Sequence, residues 1–126
     1  MRTTVLLCTA VMTLAGCQKT PAPQSVADSQ RPPSSALRHM NIDILRGRIK
    51  AGDFLKAEIS SVVLLRPNEK IYAYCVRTME RAVPGWSYLG IALKNDRIID
   101  STKDDYRCHD KRLRYYNFPE LLTMTY

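Results

Sequence analysis

Apolar and polar positions divide the chain into stretches of different period. Val5, Leu6, Leu7, Val11, Met12 and Leu14 make an apolar run behind the short basic start Met1-Arg2-Thr3-Thr4. The run falls well short of the roughly 20 apolar residues that span a bilayer, and with small residues at its end it has the form of a secretory signal. Residues 18–36 hold four prolines, four serines and almost nothing to bury. That composition predicts a disordered tether, reaching on the order of 25 Å as a flexible coil. Leu37, Met40, Ile44 and Ile49 then recur at helical spacing with Leu45 beside them, while Arg38, Arg46, Arg48 and Lys50 lie mostly off that stripe. This predicts an amphipathic helix capped by Ser34 or Ser35 and stopped near Gly52-Asp53. Its apolar face suits a sheet to be covered, and its basic back also fits an anionic bilayer.

From Ala57 the period shortens to that of strands. Ile59, Val62, Val63, Leu64 and Leu65 predict a first strand, ended by the turn chemistry of Arg66-Pro67-Asn68-Glu69-Lys70. A second runs from Ile71 to Glu80, with Ile71, Ala73, Cys75 and Met79 on one face and Tyr72, Tyr74 and Val76 on the other. Pro84-Gly85 marks a loop. Ser87 to Lys94 is a third strand, and Asn95-Asp96 turns it into Arg97 to Ser101. Connections this short require antiparallel neighbours. Beyond a polar loop at 103–107, Leu113, Tyr115, Tyr116 and Phe118 fit a final strand or a short helix, and Pro119 allows a last turn. The expected fold class is α+β, an N-terminal helix packed on a small antiparallel β-meander of four or five strands.

The Leu14-Ala15-Gly16-Cys17 tetrapeptide that closes the apolar run resembles the lipobox of bacterial lipoproteins. The resemblance implies cleavage before Cys17, a diacylglycerol thioether on its sulfur, and an acylated, palmitate-type new N-terminus. Residues 1–16 are then a signal peptide, 17–36 the lipidated Cys and its tether, and 37–126 a small globular envelope domain. Gln18 follows the Cys; in enteric-type lipoproteins an Asp there signals retention at the inner membrane, so the resemblance points to the outer membrane, with the domain facing the periplasm. Residues 37–100 are also similar, more loosely, to small proteobacterial envelope lipoproteins of unassigned function, through Ile71-Tyr72-Ala73-Tyr74-Cys75 and Gly85, Trp86, Tyr88 and Gly90. The chain departs from that pattern in having Val76 where a Gly often follows the Cys, and the likeness carries no activity.

On this reading the four cysteines sort themselves. Cys8 leaves with the signal and Cys17 carries lipid, so Cys75 and Cys108 remain as a pair in an oxidising compartment, and a disulfide is expected. Closing a loop of roughly 30 residues, it would stabilise by about 3 to 4 kcal/mol. A metal site would have to use Cys75, Cys108, His109 and Asp110, with no second ligand spaced near Cys75. Cleavage removes Arg2 from a chain of formal charge +7 with 12 acidic residues, and the basic balance that is left favours anionic partners. A secreted location argues against nucleic acid.

No catalytic motif stands out. His39 and His109 are the two histidines, and no serine sits in a Gly-x-Ser-x-Gly elbow. Asp100, Asp104 and Asp105 could in principle pair as glycosidase carboxylates, but a loop rich in Lys and Arg reads as solvated charge. The most suggestive stretch is Arg107, Lys111, Arg112 and Arg114 interleaved with Tyr106, Tyr115 and Tyr116. Arginine forks bind phosphates bidentately and tyrosine rings sit at headgroup level. Trp86 suits either a partner anchor or a plug for one end of the sheet. The expectation is a non-catalytic, cofactor-free, lipid-anchored envelope protein that binds or scaffolds an envelope protein or anionic glycolipid through this basic, Tyr-rich surface. The alternative is an inhibitor or immunity lipoprotein acting on a lysozyme or toxin, although a basic chain suits a basic lysozyme poorly.

Overall fold

The computed structural model describes residues 22–45 and 54–123. The apolar run, Cys17, the first part of the expected tether and the expected end of the helix near Gly52-Asp53 lie outside the described residues. The elements in chain order are α1 (Gln24–Asp28), α2 (Ser35–Leu45), β1 (Phe54–Ser60), β2 (Val63–Arg66), β3 (Ile71–Glu80), β4 (Trp86–Lys94), β5 (Arg97–Lys103), β6 (Tyr115–Asn117) and α3 (Pro119–Leu122). The fold is α+β, with one antiparallel six-stranded sheet. Among the described residues two helices rather than one precede the sheet, and the strand count exceeds the expected four or five.

The extra strands have local causes. The expected first strand is broken at Ser60–Val62 into β1 and β2, which pair with successive halves of the long β3. At the break the Ser60 hydroxyl accepts the backbone N–H of Cys75 at 2.7 Å, standing in for a backbone carbonyl. Ser61 donates its own N–H to the Arg114 carbonyl, and Val62 exchanges backbone hydrogen bonds with Arg31. The N–H groups of Cys75, Ser61 and Val62 thus all have partners, as burial requires. The second addition is β6, which pairs with β1. Of the two forms open to the C-terminal segment, the chain takes a strand and then, after Pro119, a one-turn helix.

Strands β3, β4 and β5 form the expected meander, and Asn95 and Asp96, both with positive φ, make the two-residue turn between β4 and β5. The sheet order is β5-β4-β3-β1-β6. After β5 the chain therefore crosses back over one face of the sheet, as residues 104–114, to reach the opposite edge.

Period-2 alternation sends Tyr74, Val76, Ile91, Leu93, Ala57 and Ile59 to the other face, where they make the main core with Leu45, Phe118 and Leu121. Helix α2 covers it. The Ser34 hydroxyl accepts the Leu37 N–H at 3.1 Å, the expected cap. Its stripe differs from the expected one, because Asn41 and Leu45 are fully buried while Ile44 is only half-buried. A polar residue is tolerated there because both ends of its amide are bonded: Nδ2 donates to the Leu37 carbonyl at 2.9 Å, and Oδ1 accepts the Tyr74 hydroxyl. Arg38 clamps the far edge, donating to the Asn117 carbonyl and both Glu120 oxygens at 2.7–2.9 Å.

The expected disordered tether is corrected for residues 22–36, part of which is folded against the domain. Helix α1 buries Val26, and Arg31 makes its bridge with Val62. The Ser29 hydroxyl accepts the Leu64 N–H at 2.8 Å. Gln30 joins three segments: its Nε2 donates to the Ala27 and Arg112 carbonyls, and its Oε1 accepts the Ser61 hydroxyl and the Arg114 N–H. Apart from Val26, these contacts belong to polar side chains and backbone, so a stretch with little to bury still acquires a fixed place.

Candidate partner surface

The crossing segment 104–114 carries most of the sequence-predicted site residues and lies on the face that bears Cys75. Cys75 and Cys108 are joined by the expected disulfide, with Cα atoms 5.7 Å apart, which pins the crossing to the middle of β3. Both sulfurs are consumed in that bond. Gly90 pairs with Cys75 across the sheet, and a Cβ there would lie 2.2 Å from an Asp105 carboxylate oxygen. The missing side chain is what lets the crossing descend onto β4.

Two copies of one local device flank the disulfide. The Asp105 carboxylate accepts the backbone N–H of Arg107 at 3.0 Å and its guanidinium Nε at 2.9 Å, with Nη2 also engaged. The Asp110 carboxylate does the same for Arg112, at 3.0, 3.0 and 2.7 Å. Each Asp-x-Arg is thus a closed, charge-balanced turn. Burial alone would raise the Asp105 carboxyl, but the Arg107 side-chain and backbone hydrogen bonds outweigh it and hold it below the usual carboxylate range. Hydrogen bonds from Arg112 lower Asp110 likewise. The reading of Asp100, Asp104 and Asp105 as solvated charge is therefore corrected at Asp105, whose side chain is only 3% exposed. Asp100 and Asp104 are exposed.

The basic, Tyr-rich surface divides. Arg107 and Arg112 are spent on their aspartates, and Arg112 also donates to the Ala22 carbonyl at 2.7 Å. Lys111 and Arg114 are exposed. Tyr115 and Tyr116 point to opposite sides of β6, as neighbours in a strand must. Tyr116 packs against the main core and so leaves the candidate surface. The Tyr115 hydroxyl donates to the Cys108 carbonyl at 2.7 Å. Burial raises its phenol above the ordinary tyrosine range, a shift the Arg77 charge partly opposes.

Trp86, at the start of β4 and half-buried, does not stand alone. Arg77 of β3 lies between it and Tyr115, with the guanidinium carbon 4.5 Å from the Trp86 ring centroid and 3.9 Å from that of Tyr115. Glu58 on β1 fixes the guanidinium, accepting from Nε at 2.7 Å. The next rung is aromatic, His109 lying 3.9 Å from Tyr88 between ring centroids. His39 is exposed on α2, far along the chain from this face.

Arg77, Glu58 and Gln30 are the candidate-surface residues that sequence reading passed over, and Asp105 was read there as solvated charge. The repeated Asp-x-Arg at 105–107 and 110–112 was a visible signal for the turns. Arg77 had none, because its role depends on which residues pair across three strands. Two cavities adjoin the surface elements. A small one of about 60 Å³ under α1 is lined by Val26, Val63, Leu65, Ala73 and Leu113. A groove of about 690 Å³ beside α2 is lined by Arg31, Leu37, Met40, Lys70 and Tyr72 among others. Compared with known proteins, the chain matches no family model, no curated protein and no solved structure.

Proposed function

We propose that this protein is a non-catalytic, lipid-anchored envelope component, tethered through Cys17 to the outer membrane and holding an envelope protein against its disulfide-bearing face. The observation that carries the reading is the Trp86–Arg77–Tyr115 stack, locked by Glu58 and backed by the disulfide-pinned crossing. Partner surfaces gain affinity when large aromatic and arginine side chains are held in place before binding, since less side-chain entropy is lost on contact. The internal neutralisation of Arg107 and Arg112 moves the weight of recognition from arginine forks, as expected from sequence, to the aromatic stack.

The test is photo-crosslinking in intact cells from a benzophenone amino acid at exposed His109, beside Tyr88 on the rung next to the stack, followed by mass spectrometry of the adducts, with and without Trp86→Ala. A discrete protein adduct that falls at least tenfold in Trp86→Ala supports the reading. Recovery of lipid alone, with no protein, overturns it in favour of a glycolipid or lipid ligand.

A further inference from the structure

The docking of residues 22–31 changes how far the folded body stands from any anchor at Cys17. We infer that the face formed by α1 and the 110–114 stretch is seated on the anionic surface of the bilayer, an orientation fixed by a short connector. The inference rests on the anchoring at Cys17 proposed above.

Arg112 fixes the Ala22 carbonyl at 2.7 Å, and Gln30, Ser29 and Arg31 hold the residues that follow. Only Gln18, Lys19, Thr20 and Pro21 lie between Cys17 and this first fixed point. Five residue steps span at most about 18 Å, roughly two Debye lengths at physiological salt. A free tether over 18–36 would let the domain turn in any direction, whereas attachment at Ala22 presents the side on which the chain enters.

That side has the matching charge. Asp105 and Asp110 are neutralised by Arg107 and Arg112, so the 110–114 stretch offers Lys111 and Arg114, both exposed, while exposed Asp104 lies at the other end of the crossing, its N–H bonded to the Tyr88 carbonyl. On α1, Asp28 opposes them, accepting a hydrogen bond from Gln24 at 2.9 Å. Cations held near an anionic leaflet are attracted to it, and the attraction decays within a Debye length. Strand β5, at the opposite edge of the sheet, faces away; there Ile99 is 51% exposed.

The experiment uses the full lipidated chain in vesicles of phosphatidylethanolamine and phosphatidylglycerol, with a benzophenone amino acid replacing either exposed Ser25 on α1 or Ile99 on β5. Lipid adducts from position 25 should exceed those from position 99 at least fivefold. Twelve Gly/Ser residues inserted between Thr20 and Pro21 should bring the two positions within twofold, and Lys111→Glu with Arg114→Glu should lower the adducts at position 25 at least threefold. Equal adducts from the two positions, on protein whose Cys17 carries diacylglycerol by mass spectrometry, would overturn the seated orientation. A mature chain without diacylglycerol on Cys17 would instead overturn the anchoring reading itself.

Discussion

Gly90 and Asp105 form the tightest contact between the crossing segment and the sheet. Adding one methyl at Gly90 drives its Cβ into the Asp105 carboxylate and carbon atoms at 2.2–2.8 Å. Neither neighbour can give way cheaply, because Asp105 is held by Arg107 and the backbone at Gly90 pairs with that of Cys75. Gly90→Ala should therefore cost about 1 to 3 kcal/mol as an overpacking substitution, measured by urea unfolding. Asp105→Ala should lower that cost by removing the carboxylate, while the Cβ kept at position 105, 2.8 Å from the added methyl, retains part of it; an unchanged cost of Gly90→Ala in that background would show that strain arises elsewhere. At this scale the sequence was only half legible. Alternation placed Cys75, Tyr74 and Val76 on their correct faces, since a strand's period is a local property. It could not mark Asp105 as buried, because a carboxylate flanked by Lys and Arg looks the same whether solvated or ion-paired.

Among the elements, the crossing and the N-terminal segment lean on each other, through Gln30 to Arg112 and Arg114 and through Arg112 to Ala22. The disulfide closes a sequence separation of 33, and in the chain-entropy description removing it costs about 3 to 4 kcal/mol. Replacing Cys75 and Cys108 together by Ser should lower the urea midpoint accordingly. It should also raise hydrogen exchange first at Cys108, Leu113 and Arg114, then at Arg31 and Val62, whose bonds depend on the crossing. Exchange that rose uniformly over the sheet would contradict this dependence. The same reliance explains why the segment over 22–36 was read as tether. Only Val26 carries apolar burial in α1, and the remaining fixation comes from Ser29, Gln30 and Arg31 meeting residues 31 to 84 positions away. A composition rule that counts apolar side chains cannot register such contacts. The split of the first strand had the same origin, for Ser60-Ser61 acts as a break only through Cys75 and Arg114.

For the whole molecule, pH sums these local arrangements. Asp105, Asp110 and Glu120 all have folded carboxyls below their ordinary range; at Glu120 burial pulls upward and the Arg38 hydrogen bond prevails. A depressed carboxyl stabilises above its unfolded value, near 4, and that stability is lost as pH falls through the folded one. Tyr74 and Tyr115 are shifted the opposite way, burial raising both phenols. Their contribution is complete below the unfolded tyrosine value, about 10, and is lost as pH rises above it, because the unfolded chain ionises first. The urea midpoint should thus be flat from roughly pH 5 to 10, falling on both sides. On the alkaline side, tyrosinate absorbance should show two of the seven tyrosines ionising only together with loss of the far-ultraviolet β signal. Asp105→Asn should lower the plateau, since Arg107 loses its charged partner, and should make the acid limb shallower while leaving the alkaline limb in place. A midpoint that already declines between pH 7 and 5, or an acid limb unchanged in Asp105→Asn, would mean that the paired aspartates flanking the disulfide do not set the acid limb.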